Sequence, residues 1–256
     1  MEITAHIDAL RLEGTRLAEA AARTDLAAPV PTCPEWQLGD LLRHIGYVHR
    51  WATATLSKGL PAPMDEADAQ AAVGPMPDDA ALLDWYRAGH AALVDALTRA
   101  PADTECWSFL AAPSPLAFWA RRQAHETAVH RHDADEAAGL PGPAVDTALA
   151  LDGIDELVRA FMSRSRSTLR SERPRTLRIR ATDGPGSWLV TITQEPPAVT
   201  TDESPEPADL TLTGPARVLY LLLWNRLTAE QAPEVERAGD PDLLDLWRDA
   251  ATVRWS

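Results

Sequence analysis

The sequence predicts an α+β protein: an N-terminal four-helix bundle followed by a smaller α+β domain with a short antiparallel sheet. Three observations predict it. Four long segments before residue 140 repeat apolar residues at helical spacing, two segments beyond it alternate with period two, and Pro141-Gly142-Pro143 interrupts the chain between them. The expected domains are therefore residues 1–140 and 141–256.

The first helix covers residues 2 to about 24, with Ile7, Leu10, Leu17 and Ala21 on one side. Pro29 to Pro34 breaks that pattern, and a second helix runs from Glu35–Leu38 to about Lys58. The Pro-rich acidic stretch from Pro61 to Pro77 reads as a loop, long enough to be a crossover connection. A third helix follows from Asp78 to Ala100, carrying Leu82, Trp85, Tyr86, Leu93 and Leu97, until Pro101 stops it. The fourth helix has explicit punctuation: Ser114 as N-cap, Pro115 at the first helical position and Gly139 just past the end.

Beyond the linker, one helix is expected from Val145 to Arg164. Leu177, Ile179 and Ala181 then alternate with Arg178, Arg180 and Thr182, and Trp188, Val190 and Ile192 with Leu189, Thr191 and Thr193. Asp183-Gly184-Pro185-Gly186 between them is a turn signal, so the pair reads as a hairpin. A third short strand, Leu210-Thr211-Leu212, leads through Gly214-Pro215 into an apolar helix ending near Leu227, and a last helix covers Asp240 to Ala251.

Composition narrows the function. With 45% hydrophobic and 24% charged residues the chain reads as globular, and no apolar run is long enough to cross a membrane. The formal net charge of −14, with no strong basic cluster, argues against a nucleic-acid partner. The densest basic stretch, Arg159 to Arg180, reads as a solvated helix end and a strand face. Two cysteines, Cys33 and Cys106, and no recognisable leader at Met1-Glu2-Ile3-Thr4 point to a cytoplasmic protein with reduced thiols. The sequence leaves the oligomeric state open between monomer and homodimer. Alanine is abundant, arginine supplies nearly all the basic residues and Lys58 is the single lysine, which hints at a high-GC bacterial genome.

The chemistry concentrates on the fourth helix. Trp119, Gln123, Glu126, His130, Asp133 and Ala137 follow one another at steps of three and four and share a stripe flanked by Leu116, Ala120 and Val129. A carboxylate facing a core costs several kcal/mol unless paired, so a positive group is expected between Glu126 and His130. The second helix repeats the anomaly, with His44 amid Leu41, Val48 and Trp51. If the stripes face each other, His44, Glu126 and His130 form a three-ligand site suited to zinc or a similar divalent cation, with a coordination position left open for chemistry. Taken singly, each residue has a plainer reading: His44 as a hydrogen-bonded core histidine, Glu126 and His130 as an ion pair, Asp133 as a partner for an arginine. Three buried polar groups on facing apolar stripes weaken those readings, because the burial cost recurs at each.

Other signals fail. His125-Glu126 begins the metalloprotease pattern His-Glu-x-x-His, but Val129 stands where the second histidine is needed. His49 and His132 lie off the stripes and read as surface residues, while His6 and His90 carry no context. No nucleophile elbow, phosphate loop or dinucleotide glycine motif is present.

Three segments carry a resemblance: Val30-Pro31-Thr32-Cys33-Pro34-Glu35-Trp36, Asp40-Leu41-Leu42-Arg43-His44-Ile45, and Arg121 through Ala134 with its Gln123-Ala124-His125-Glu126-Thr127-Ala128-Val129-His130 centre. Together they resemble the mycothiol-dependent maleylpyruvate isomerase family, actinobacterial relatives of the DinB-like bundle metalloenzymes. Leu210 through Ala216 and Leu221 through Arg226 are similar to that family's C-terminal domain, of the sterol-carrier-protein type. The resemblance implies His44, Glu126 and His130 as metal ligands, and Asp133 and Arg226 as active-site and cofactor-binding residues. It also implies a mycothiol cosubstrate and a small electrophilic substrate, in an isomerase or an S-transferase. A non-catalytic metal- or apolar-ligand-binding regulator, and a metal-assisted hydrolase, are the alternatives from other classes.

Overall fold

The computed structural model describes residues 1–140, 142, 144–201 and 207–253. Pro141 and Pro143 of the linker lie outside the described residues. The chain separates into two compact units, Met1–Pro143 and Ala144–Ser256, and the architecture is α+β.

The first unit contains α1 (Ile3–Ala21), α2 (Leu38–Lys58), α3 (Glu66–Val73), α4 (Asp79–Arg99) and α5 (Pro115–Ala137). The four long helices are those the periodicity predicts; α1 stops three residues short of the expected end. The short α3 lies inside the stretch read as a loop. Prolines flank it and its apolar face is only Ala69 and Val73, too little for a periodic signal, yet Asp65 caps it by accepting from the Asp68 amide. Asp78 caps α4 through Ala81 N–H at 3.1 Å, and Ser114 caps α5 through Ala117 N–H at 3.1 Å with Pro115 in the first turn. Gly59 closes α2 in the left-handed region at φ 58°, which a side chain adopts only with strain.

Helix α1 packs on α5 and α4, and α2 packs on α4 and α5. Leu10, Leu17, Leu41, Leu42, Ile45, Leu82 and Tyr86 are fully buried. Helices α1 and α4 approach so closely at Gly14 that a Cβ there would lie 2.2 Å from the His90 ring, and His90 Nε2 pairs with Leu10 O at 3.0 Å. Helix α5 is buried almost throughout, polar residues included: Arg122, Gln123, His125, Glu126, Thr127, His130, Arg131, Asp133 and Asp135 are all below 9% exposure. A helix buried on every side is normally apolar on every side, so each of these polar groups needs an accounting.

Arg131 has one. Its guanidinium donates to Glu13 of α1 at 2.6 Å and to Asp135 at 2.5 Å, and Glu13 also accepts from Arg16 at 2.9 Å. This network clamps α1 to α5 inside the unit.

In the second unit, α6 (Thr147–Asp155) runs into a π-helical stretch, Glu156–Met162, together filling most of the single helix expected there. The sheet comprises β1 (Arg175–Ala181), β2 (Ser187–Ile192), β3 (Ala198–Thr201), β4 (Leu210–Gly214) and β5 (Glu236–Gly239), in the order β3-β2-β1-β4-β5. The expected hairpin is present, with Ile179 opposite Trp188. The antiparallel character holds for three pairings, while β1 and β4 run parallel, Leu177 beside Leu210. Strands β3 and β5 are four-residue edge strands without inward alternation, which is why periodicity does not reveal them. Arg175 and Arg178, read as part of a solvated basic face, are buried on β1. Helices α7 (Ala216–Leu223) and α8 (Asp242–Ala250) complete the unit, joined by the Trp247 indole donating to Leu223 O at 2.9 Å. Among the described residues no helix is long and apolar enough to cross a membrane.

Removing one member of a buried ion network strands the other charge. Glu13→Ala is expected to lower unfolding free energy by about 3–5 kcal/mol, read as a shift of the urea midpoint. A shift no larger than that of an exposed control such as Asp8→Ala would show that the Arg131 network does not hold α1 to α5.

Candidate metal centre

Three side chains from two helices converge. His44 projects from α2 between Leu41 and Val48, both buried, and is itself 23% exposed. Glu126 and His130 stand one turn apart on α5. His44 Nε2 lies 3.3 Å from Glu126 Oε1, and His130 Nε2 lies 3.3 Å from the same oxygen. One donor atom from each of the three falls within 4.8 Å of the others.

The surroundings fix the orientation of each group. His130 Nδ1 is 2.8 Å from Asp133 Oδ2, so the hydrogen-bond network assigns a proton to Nδ1 and turns Nε2 toward Glu126. Asp133 is fully buried, and its other oxygen accepts from Thr32 Oγ1 at 2.6 Å. Cys33 Sγ stands 3.9 Å from Asp133 Oδ2. Trp36 lies over both imidazoles, its ring centre 4.9 Å from that of His44 and 6.0 Å from that of His130. The loop bearing these residues is tied to itself by Val30 N–H to Trp36 O at 2.9 Å and Trp36 N–H to Cys33 O at 2.8 Å. On the opposite side of the carboxylate, buried Arg122 places Nη2 3.3 Å from Glu126 Oε2.

Charge follows geometry. Burial alone would protonate the Glu126 carboxyl, but hydrogen bonds from His130 and His44 and the nearby positive charges outweigh it and hold the group well below the usual carboxylate range. Burial likewise opposes the His130 imidazolium, yet hydrogen bonds to Asp133 and Glu126 prevail and push its pKa to about 8. The centre is therefore built to hold positive charge between two imidazoles and a carboxylate. Two nitrogen donors and one oxygen donor, with an outer carboxylate fixing one ring, fit a zinc-like divalent cation.

Other expected residues fall elsewhere. Arg226 belongs to the second unit, in the turn after α7, where its Nη1 donates to Trp224 O at 3.0 Å. His49 and His132, read as surface residues, are fully buried and half-buried respectively. His49 Nε2 meets Thr127 Oγ1 at 2.9 Å, and burial, first of all, drives its pKa well down. His49 follows His44 by five residues, off the ligand stripe but facing another packed helix. His6 and His90 are buried too. Gln123 is fully buried, and its amide has no hydrogen-bond partner among the described residues. Thr32, Trp36 and Arg122 had no assigned role in the sequence, although the first two sit in the Pro-rich motif and the third precedes Glu126 by one helical turn.

Comparison with known proteins bears on the whole arrangement. The family profile described as the mycothiol maleylpyruvate isomerase N-terminal domain matches residues 7–135, half of the chain, and the C-terminal domain profile of the same family matches residues 148–246. This chain belongs to the mycothiol-dependent maleylpyruvate isomerase family. The family is one of enzymes, and the fold agrees with it. A crystal structure of a mycothiol-dependent maleylpyruvate isomerase superposes with a TM-score of 0.64 at 12% identity, covering 93% of each chain. A histidine-to-alanine mutant of that enzyme gives 0.62, at the same identity and coverage. At such identity the likeness speaks for the fold alone. No curated protein matches the chain significantly.

Protonation of His130 yields a pH prediction for the cation-free protein. The folded-state pKa, about 8, lies above the ordinary 6.5. This group's contribution is thus fully present below pH 6.5 and is lost as pH rises through about 8, on the order of 2 kcal/mol in all. Glu126 stays ionised over this window and His49 stays neutral, so neither masks the effect. In chelator, unfolding free energy is expected to fall between about pH 6 and pH 9 in the wild type and to stay flatter in His130→Asn. Parallel profiles for the two proteins would remove His130 as the titrating group.

Proposed function

We propose that this chain is a cytoplasmic, metal- and mycothiol-dependent enzyme acting on a small electrophilic substrate, either as a cis–trans isomerase or as an S-transferase. The observation that carries the reading is the convergence of His44, Glu126 and His130 on a common point in a bundle whose family depends on a thiol. Zinc is the cation the donor set suits best.

A divalent cation, when bound there, would lower the proton affinity of a thiol, whose ordinary pKa near 8.5 leaves little thiolate at neutral pH. The reaction class is reversible thiol addition to an activated double bond, or displacement where the electrophile bears a leaving group. The chain's own residues do the rest. His44 and His130 supply neutral nitrogen donors and Glu126 an anionic oxygen. Asp133 holds the proton on His130 Nδ1 and so keeps Nε2 available. With both its oxygens already engaged, by His130 and Thr32, Asp133 serves as a positioning residue more readily than as a contact for the thiol. Trp36 covers the imidazoles with an apolar face and excludes water on that side. Arg226 is assigned the binding of a substrate carboxylate through its planar fork.

Metal analysis and turnover test the assignment together. Wild-type protein should carry about one equivalent of divalent cation per chain and show mycothiol-dependent conversion of maleylpyruvate or of a bimane-type electrophile. His130→Ala and His44→Ala should lose the cation and the turnover while remaining folded. Cation-free wild type with full turnover, or turnover that persists without any thiol, would sink the reading. Arg226→Lys should raise KM for a carboxylate substrate while leaving cation content unchanged; an unaltered KM would remove that residue from the proposal.

A further inference from the structure

Two oxygens of one carboxylate do different work in this centre. Glu126 Oε1 lies 3.3 Å from each of His44 Nε2 and His130 Nε2, whereas Oε2 lies 3.3 Å from Arg122 Nη2 on the other side. Arg122 is fully buried and Glu126 is 4% exposed. A guanidinium is costly to bury, and here one of its nitrogens is directed at the carboxylate oxygen turned away from the imidazoles. Helix stabilisation is a poor reason for the pair, since acid-before-base is the favourable order for an i,i+4 pair and here the base comes first.

We propose that Arg122 is a positioning residue that makes Glu126 a single-oxygen ligand and thereby reserves open coordination positions for the thiol. The inference rests on the metal reading given under Proposed function. A carboxylate can close on a cation with both oxygens or bind through one. Held by a charge-assisted hydrogen bond at Oε2, Glu126 presents only Oε1 to the imidazoles. Without that restraint the carboxylate is free to rotate and chelate, and each additional oxygen bound fills a position an incoming sulfur would need. The guanidinium also cancels the carboxylate charge, so a cation at this point keeps more of its own. Arg122 thus trades cation affinity for cation reactivity, the reverse of what a purely structural arginine would do.

The test substitutes Co2+ and compares the wild type with Arg122→Met, which keeps an unbranched apolar stem and removes the charge and the donors, and with Arg122→Lys, which keeps the charge and N–H donors. Visible absorption of cobalt weakens as its coordination number rises, so it reads the site without turnover. The expected result for Arg122→Met is one Co2+ per chain, bound at least as tightly as in the wild type by chelator competition. Its visible bands should be weaker, and about tenfold more mycothiol should be needed to bring up the sulfur-to-cobalt charge-transfer band. Arg122→Lys should return both signals toward the wild type. If Arg122→Met does not fold, Arg122→Leu removes the charge and every donor alike and carries the same comparison. Arg122→Met with wild-type bands and wild-type thiol demand overturns the role of Arg122 alone, as does a folded variant that no longer binds Co2+. Wild-type protein that takes up no Co2+ overturns the metal reading and this inference with it.

Discussion

A carboxylate placed in a helix-bundle interior must be matched by positive charge, and the first unit is organised around that requirement at Glu126. Its two oxygens meet three donors, from His44 on α2 and from Arg122 and His130 on α5. Removing water strengthens each of these interactions and equally raises the cost of leaving any of them out. The neighbouring shell follows from the same rule. His130 needs a partner for its second nitrogen and finds Asp133, Asp133 needs one for its second oxygen and finds Thr32, and the Pro-rich loop is thereby drawn across the ligands with Trp36 on top. Two turns of α5 so determine where a loop a hundred residues earlier in the chain must lie.

The ionised groups around Arg131 and around Glu126 on α5 form two different systems. Arg131 with Glu13 and Asp135 is closed, every charge matched by a protein charge, and its effect is to seat α1. The Glu126 system is centred instead on a point shared by three donor atoms within 4.8 Å of one another, where opposed lone pairs can be reconciled only by protons or by a cation. A pKa for His130 of about 8 is the protonated solution to that problem. The same geometry that favours a proton favours a metal ion, which is why affinity for one is set against the other.

Much of this was legible in the sequence because the anomalies were periodic. Glu126, His130 and Asp133 share a stripe at helical steps, and His44 interrupts an apolar stripe on another helix, so their meeting could be anticipated without coordinates. The buried side chains that periodicity does not reveal share one physical cause, the absence of a single solvent-facing side. His49 lies off the stripe of His44 and so reads as a surface residue, yet α2 contacts neighbours on more than one face and buries it against Thr127. Arg122 gives no signal for the same reason, since an arginine on a helix is ordinarily solvated. The α3 turn and the strands β3 and β5 were invisible for another reason: each is short and buries almost nothing, so hydrophobic pattern had nothing to report. The parallel β1–β4 pairing was hidden because strand alternation is blind to direction.

The proposed ligands His44 and Glu126 lie 82 residues apart in the chain, on helices separated by two others. An ion gripping both, as proposed, would act as a reversible staple across a long loop, with the entropic leverage on the unfolded chain that a disulfide of similar span would have. Unlike a disulfide, its strength scales with the free ion available in the cell. Catalytic competence and resistance to unfolding would then rise and fall together with cellular metal supply, and scarcity would mark the apoprotein for turnover as well as silence it.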